Sequence, residues 1–593
     1  MPPMRGNAPA QKAKNTRKAL AQLLKFCRRA LPAVIIALTI AIASTVFAII
    51  GPRYVGKIAD LIGDGVRFGN MDYARIVDIA LFLVVIYGVS AVLSYAQGYI
   101  MNSVTQRTTR ALRTGISKKI NRLPLRYFDN NLLGDVLSRV TNDVDMIGQS
   151  LNQSVVSLVT NVTMLAGVLI MMFTINWLMT LTAIAASVLG FVLMILIMSK
   201  SQKHFLAAQV NLGAANGHIE EIYAGHNVVK VLGGEKKAKE TFNEINGRLY
   251  QSAWKSQFLS GLMMPIMNFV GNLGFVAVCV VGGALAISGK IEVGVIVSFM
   301  IYVRLFTNPL SQIGQAMNSM QSMAAASERV FEFLNEAELT PDTPKTELQQ
   351  VRGEVEFKNV HFGYNPDKII INDFSAHVYP GQKVAIVGPT GAGKTTMVNL
   401  LMRFYEINGG SITIDGVDVR DLSRENIHDI FGMVLQDTWL FDGTVRDNIV
   451  YSKTDASDEK VTEAARAAGL DHFIRTLPQG YDTVLDDKTT ISAGQRQLIT
   501  IARAMVEDAP MLILDEATSS VDTRTEVLIQ EAMDALTKGR TSFVIAHRLS
   551  TIKNADLILV MKDGDVIESG NHNALMEKGG FYADLYNSQF ATE

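Results

Sequence analysis

Two stretches of this chain are too long and too free of charge to fold as ordinary segments of a water-soluble domain. Residues 146–199 carry no Asp, Glu, Lys or Arg over 54 positions, and residues 256–289 carry none over 34. Residues 30–52 and 79–106 are also uncharged. A helix needs about 20 apolar residues to cross a bilayer, and within the hydrocarbon its backbone groups must be satisfied internally. The longest block therefore holds two spans with a tight outer turn at Asn176-Trp177. A last span runs from about Val293 to Ala324, interrupted only by Arg304, and brings the expectation to six helices in the first 330 residues. No cleavable leader is expected, because the first apolar segment begins near residue 31, is span-length and lacks a small-residue exit. Charged residues make up 19% of the 593 and mean hydropathy is +0.20, which fits a membrane part diluted by a soluble part.

The loops set an orientation. Residues 1–30 carry eight Lys or Arg and no acid, and segments 107–145 and 200–255 carry eight basic residues each. Loop 53–78 balances four basic against four acidic residues, and loop 290–292 has one of each. By the positive-inside rule, both termini and the two long loops are expected in the cytoplasm. Those loops are too short for domains. They read as helical extensions with short crossing helices at the tips, expected at Pro124–Gly134 and at Glu220–Gly225. Extensions of about 20 residues would reach roughly 30 Å beyond the bilayer, far enough to touch a soluble domain.

Composition changes near Pro341. The divisions expected are a basic N-terminal segment 1–30, a six-span region 31–330, a polar linker 331–350 and a soluble domain 351–593. In the last of these, short β-rich runs (VEFKNVHF, KVAIVG, SITIDG, MLILDEA, SFVIAH, LILVMKDG) alternate with helical patterns, the signature of an α/β domain with a largely parallel sheet. The run Gly388-Pro389-Thr390-Gly391-Ala392-Gly393-Lys394-Thr395 fits the whole G-x-x-x-x-G-K-[ST] pattern between a strand and a helix. Such a loop wraps a phosphate in backbone N–H groups, Lys394 neutralises the outer phosphates and Thr395 offers a hydroxyl to Mg²⁺. Further on, an apolar run delivers Asp515, suited to Mg²⁺, and Glu516, suited to polarise an attacking water. Between them Ser492, Ala493 and Gly494 open a helix, a second anion site, which suggests that two copies of the domain share each nucleotide.

Together these residues resemble a half-transporter of the ATP-binding cassette exporter family, in which six spans precede one nucleotide-binding domain. The resemblance covers about residues 20–590, including coupling-type stretches at 123–145 and 225–246. It implies that Tyr364 stacks on adenine and that Gly388 through Thr396 form the Walker A loop. It implies that Gln436 meets Mg²⁺ and the attacking water, and that Ser492, Gly494 and Gln495 contact the partner's γ-phosphate. Asp515 and Glu516 become the Walker B pair, Asp522 the loop crossing the dimer interface, and His547 the switch histidine at the γ-phosphate.

Two departures stand out. The signature reads ISAGQ where the family has LSGGQ, and the V-G-E-x-G pattern is replaced by Leu485-Asp486-Asp487-Lys488-Thr489. Both resemble the catalytically intact subunit of heterodimeric exporters, so a related second half-transporter is the favoured partner over a second copy of the chain. The implied function is ATP-driven export of amphipathic or hydrophobic small molecules across the cell membrane, with ATP and Mg²⁺ as cofactors. Net charge of −1 argues against nucleic-acid binding, and two cysteines, Cys27 and Cys279, exclude a disulfide or multi-Cys metal scaffold. A gate that binds ATP without pumping has no need of Glu516 and His547. A soluble chromosome-maintenance ATPase has no place for six spans. Methionines at 263, 264, 267, 317, 320 and 323 suit adaptable apolar contacts, although filling of lipid-facing or core positions is the better explanation of them. Arg304 shares one helical face with Asn308, Ser311, Gln315, Asn318 and Ser322, and is the candidate residue of a substrate cavity.

Overall fold

The computed structural model describes residues 15–593 except 132, 366–367, 486–490, 516–521, 547–548 and 591–593. It divides into two compact units. One comprises the chain up to Leu123 together with Asn131–Ala337, and the other comprises Glu338 onward together with the short segment Pro124–Asn130.

The first unit is helical. Among the described residues, six helices are long and apolar enough to cross a membrane: Leu31–Phe68, Tyr73–Ile120, Leu133–Ile175, Trp177–Ala224, Glu235–Ile287 and Val293–Leu334. Those of 48 residues are about 72 Å long at 1.5 Å per residue, more than twice the hydrocarbon thickness, so they carry the expected extensions. The turn at Asn176 forms as expected, because the Asn176 side chain accepts from the N–H groups of Leu178 (3.0 Å) and Met179 (3.1 Å) and caps the fourth helix. The first and sixth helices approach at two glycines. A Cβ on Gly56 would lie 2.5 Å from the Gly294 carbonyl oxygen, and one on Gly294 would lie 2.0 Å from that of Gly56. The same interface is tied by the Ser298 hydroxyl donating to Pro52 O and the Tyr302 hydroxyl donating to Ile49 O, each at 2.9 Å. These bonds sit beside a core of Val168, Met172, Met179, Val278 and Phe299.

The third helix departs from α geometry at Arg139–Asp143 and Ser150–Ser154, where the winding widens to π. Asp143, on the first of these, is almost buried and is gripped by both Nε and Nη2 of Arg329 on the sixth helix. At the start of the second, the hydroxyls of Ser150 and Ser319 pair at 2.9 Å.

The first crossing helix lies where expected, at Leu125–Asn130. The second does not. Glu220–Ala224 is the last turn of the long fourth helix, and the short helix is His226–Val231, one turn later. Gly225 marks the break between two helices rather than the end of the tip.

The second unit contains two larger sheets. In the six-stranded one the order is Asp565–Gly570, Leu557–Lys562, Lys383–Val387, Thr541–Ile545, Met511–Asp515, Phe431–Val434. All its pairings are parallel except the first. The other sheet is antiparallel, in the order Ile371–Val378, Val355–Phe362, Gly409–Ile414, Val417–Asp418. The difference is written in the burial. Central parallel strands such as Met511–Asp515 are buried almost throughout, whereas Val355–Phe362 alternates between core and solvent.

Candidate functional site

The phosphate loop leaves the strand Lys383–Val387 and enters the helix Lys394–Leu401. Three glycines shape it for different reasons. Gly391 (φ +84°) and Gly393 (φ +100°) take left-handed conformations that disfavour a side chain, and a Cβ on Gly388 would meet Met561 O at 2.3 Å. Thr390 and Thr395 are exposed, and Thr396 is buried beneath the helix. The Lys394 ammonium donates to the carbonyls of Gly388 (2.7 Å) and Pro389 (3.1 Å), folding over its own loop. Burial lowers its pKa and the charge of Asp515 opposes that shift, so the lysine lies within the field of the strand-end carboxylate. A loop shaped by left-handed glycines, a lysine resting on its own loop's carbonyls and a nearby carboxylate charge fit an ATP–Mg²⁺ group.

Asp515 ends the buried strand Met511–Asp515, in parallel register with Ile545. Glu516 and His547, which follow these two strand ends in sequence, lie outside the described residues, as do 486–489 of the altered upstream motif. Gln436 is exposed, two residues after the strand Phe431–Val434.

Ser492 caps the helix Ala493–Glu507 through a reciprocal capping box. Its hydroxyl accepts from the Gln495 N–H at 3.2 Å, and the Gln495 side chain accepts from the Ser492 N–H at 3.0 Å. Gly494 is buried in the first turn, and Ala493 is the first helical residue. Asp522 caps the helix Thr523–Thr537, accepting from Thr525 N–H at 3.0 Å, and that bond holds its carboxyl below the usual range.

Tyr364 is half-buried with its hydroxyl 3.4 Å from Thr396 Oγ1 and 3.3 Å from the Asn399 amide nitrogen, which joins the aromatic to the phosphate-loop helix. Sequence reasoning missed two groups of neighbours of this site. Tyr405 packs edge-on against Tyr364 with ring centroids 4.8 Å apart, and Phe362 completes a cluster of three rings. The C-terminal helix Phe581–Phe590 brings Tyr582 and Tyr586 to a cavity of about 90 Å³ shared with Gly388, Pro389, Thr390 and Lys394. Neither belongs to a short motif, so only the fold reveals them.

In the membrane unit, Arg304, Asn308, Ser311, Gln315 and Asn318 are exposed along one face of the sixth helix and Ser322 is half-buried. Phe299, Tyr302, Val303, Phe306 and Pro309 are buried on the other. Of the methionines singled out above, Met323 is buried, while Met264 and Met317 are exposed.

Residues 34–310 match the family model of the ABC transporter transmembrane region, and residues 371–519 match the ABC transporter family model. The chain is 47% identical over 524 residues to a fatty acid ABC transporter ATP-binding/permease protein of Mycobacterium bovis, covering 88% of this chain and 82% of the relative. It is 40% identical over 583 residues to an uncharacterized ABC transporter ATP-binding protein of Bacillus subtilis, covering 98% and 95%. It is 36% identical over 517 residues to an ATP-dependent lipid A-core flippase of Syntrophus aciditrophicus, covering 86% and 85%. With six candidate spans, two matching family models and relatives matched over most of their length, this chain belongs to the ABC transporter family, as a multi-pass half-transporter of the exporter type that dimerises and couples ATP hydrolysis to export.

Proposed function

We propose that the transported molecules are fatty acids or similar amphipaths, with an acidic head and an apolar tail. The observation that carries this reading is Arg304, exposed on a polar stripe of an otherwise apolar span. It lies twelve positions past Glu292, about 18 Å along the helix and so near mid-bilayer. A charge at that depth costs at least ~2.5–3.5 kcal/mol unless it faces water or protein. No acid interrupts the charge-free blocks to pair with it. The 47% identical relative named as a fatty acid transporter supports the same class. Arg304→Ala is expected to leave basal ATPase intact while lowering stimulation by oleate relative to a neutral amphipath. Arg304→Cys is expected to react with a water-soluble thiol reagent. An unreactive thiol in every nucleotide state, with an unchanged substrate profile, would place Arg304 outside the pathway.

In the catalytic cycle, the nucleotide domains and both termini face the cytoplasm, as the basic loops imply. Gly388 through Thr396 would hold the ATP phosphates, and Thr395, Gln436 and Asp515 would hold Mg²⁺, which would supply charge neutralisation at the phosphates. Lys394 leaves its loop carbonyls for the phosphate, Glu516 accepts the proton of the attacking water, and His547 holds the γ-phosphate. The signature residues Ser492, Gly494 and Gln495 act on nucleotide held by the partner domain.

The partner is a related half-transporter rather than a second copy. The support is Ala493, whose methyl stands at the first helical position, where backbone N–H groups must approach a phosphate. Ala493→Gly is therefore expected to change turnover only modestly, within about threefold, because this signature serves the weaker site. Co-purification is expected to yield a related chain with an intact glycine signature. Full substrate-stimulated ATPase from the chain purified alone would contradict the heterodimer.

A further inference from the structure

Gly391 and Gly393 permit the shape of the phosphate loop, but glycine does not enforce a shape. It loses more backbone freedom on ordering than any other residue, so a glycine-rich loop keeps one geometry only where its surroundings hold it. One support is the strand Leu557–Lys562, where a Cβ on Gly388 would meet Met561 O at 2.3 Å. Another is the helix Phe581–Phe590. Its Tyr582, Leu585 and Tyr586 share the cavity of about 90 Å³ with Gly388, Pro389, Thr390 and Lys394 of the loop.

That helix is itself tied down. The Glu568 carboxylate, on the edge strand Asp565–Gly570, accepts from the N–H groups of Phe581 (3.1 Å) and Tyr582 (2.9 Å). These are donors that a helix start leaves without an intrahelical partner, and an acid there also complements the helix dipole. The Tyr582 hydroxyl pairs with His572 Nδ1 at 2.8 Å, and Tyr582 is only 2% exposed. Its ring packs in one apolar cluster with Ala385 and Val387, on the strand that leads into the loop, and with Ala546 and Ile552. Tyr586, one turn on, is half-buried against the same cluster. Its ring centroid stands 5.1 Å from that of His572 and 6.1 Å from that of Tyr582, and the Lys553 ammonium lies 5.9 Å from it.

Volume makes Tyr586 matter to the loop. Truncating a packed aromatic opens space that its neighbours fill only in part. At Tyr586 that space would add to the cavity beside Pro389 and Thr390, both exposed, and give the loop room to retreat. Apparent affinity falls in proportion to the fraction of time a site spends in its competent conformation.

We propose that the C-terminal helix braces the phosphate loop and that Tyr586 is its positioning residue, holding the loop in the conformation that receives the nucleotide phosphates. The proposal rests on Gly388 through Thr396 as the phosphate-binding loop. It depends neither on the transported molecule nor on the identity of the partner.

The test is the ATP dependence of steady-state ATPase in the full-length transporter, assembled with its partner, beside thermal unfolding. Tyr586→Ala is expected to raise KM for ATP about tenfold, with kcat changed by less than about threefold. Loss of folded protein would do the reverse, lowering kcat at an unchanged KM. Tyr586→Phe, which keeps the ring, is expected to recover most of the lost affinity. Tyr586→Leu, which keeps part of the volume, is expected to raise KM about threefold, and it carries the test where the Ala variant does not assemble. Met576→Ala truncates a half-buried side chain of the same cluster that does not line the cavity. It is expected to lower the melting midpoint without moving KM. Lys394→Ala tests the loop assignment itself and is expected to lower ATPase by about 10²-fold or more. Wild-type ATPase in Lys394→Ala overturns the loop assignment and the brace with it. Loss of ATPase in Lys394→Ala beside an unchanged KM in Tyr586→Ala or Tyr586→Leu overturns the brace alone. So does an equal rise of KM in Met576→Ala, or a Tyr586→Phe variant as impaired as Tyr586→Ala.

Discussion

Glu516→Gln is expected to lower ATP turnover by about 10²-fold or more while leaving ATP binding intact. The substitution keeps the side-chain shape and removes the carboxylate that would accept a proton from the attacking water, a contribution of ~10²–10⁴ in rate. Glu516 directly follows Asp515, which ends a fully paired buried strand. The charge of Asp515 acts on Lys394 of the phosphate loop, so this strand end lies at the same site. The measurement is steady-state ATPase of the assembled transporter beside equilibrium binding of a fluorescent ATP analogue. A variant keeping half the wild-type rate would remove Glu516 from the role of general base.

The second large effect concerns stability. Arg329→Ala is expected to destabilise the membrane unit by about 3 kcal/mol, because it strands a carboxylate that the fold has taken out of water. Asp143 keeps only 5% side-chain exposure and both its oxygens are engaged by Arg329. Thermal unfolding followed by a thiol-reactive dye should show a midpoint lower by about 5 °C. Asp143→Leu combined with Arg329→Leu should recover most of the loss, because no charge is then left unpaired. A melting curve for Arg329→Ala that overlays the wild type would show that water reaches Asp143.

What the sequence revealed follows from how local each signal is. Spans are legible because hydrocarbon forbids charge, and the uncharged blocks mark them directly. The phosphate loop is legible because Gly391, Gly393 and Lys394 are close in sequence and each is chemically constrained. The turn at Asn176 is legible because a capping side chain and its target amides lie within three residues. The second crossing helix is expected one turn early because Gly225 reads as the end of a tip, whereas it separates the last turn of the long helix, Glu220–Ala224, from the short helix His226–Val231. Asp143 and Arg329 are separated by 186 residues. Pairs so distant carry no periodicity or spacing that one chain can display. The antiparallel sheet lies between these cases. The alternation in VEFKNVHF announces a strand with one wet face, but pairing with Ile371–Val378 and Gly409–Ile414 is a property of the fold.

The central claim is that hydrolysis by this chain drives an acidic amphipath across the bilayer. Its most direct test is uptake by sealed proteoliposomes. The transporter is reconstituted with its partner, ATP and Mg²⁺ are supplied outside, and radiolabelled oleate trapped in the lumen by a fatty-acid-binding protein is measured. ATP-dependent accumulation that disappears in Glu516→Gln and is reduced in Arg304→Ala is the predicted result. Equal accumulation with ATP and with the non-hydrolysable analogue, while ATP is being turned over, would contradict it.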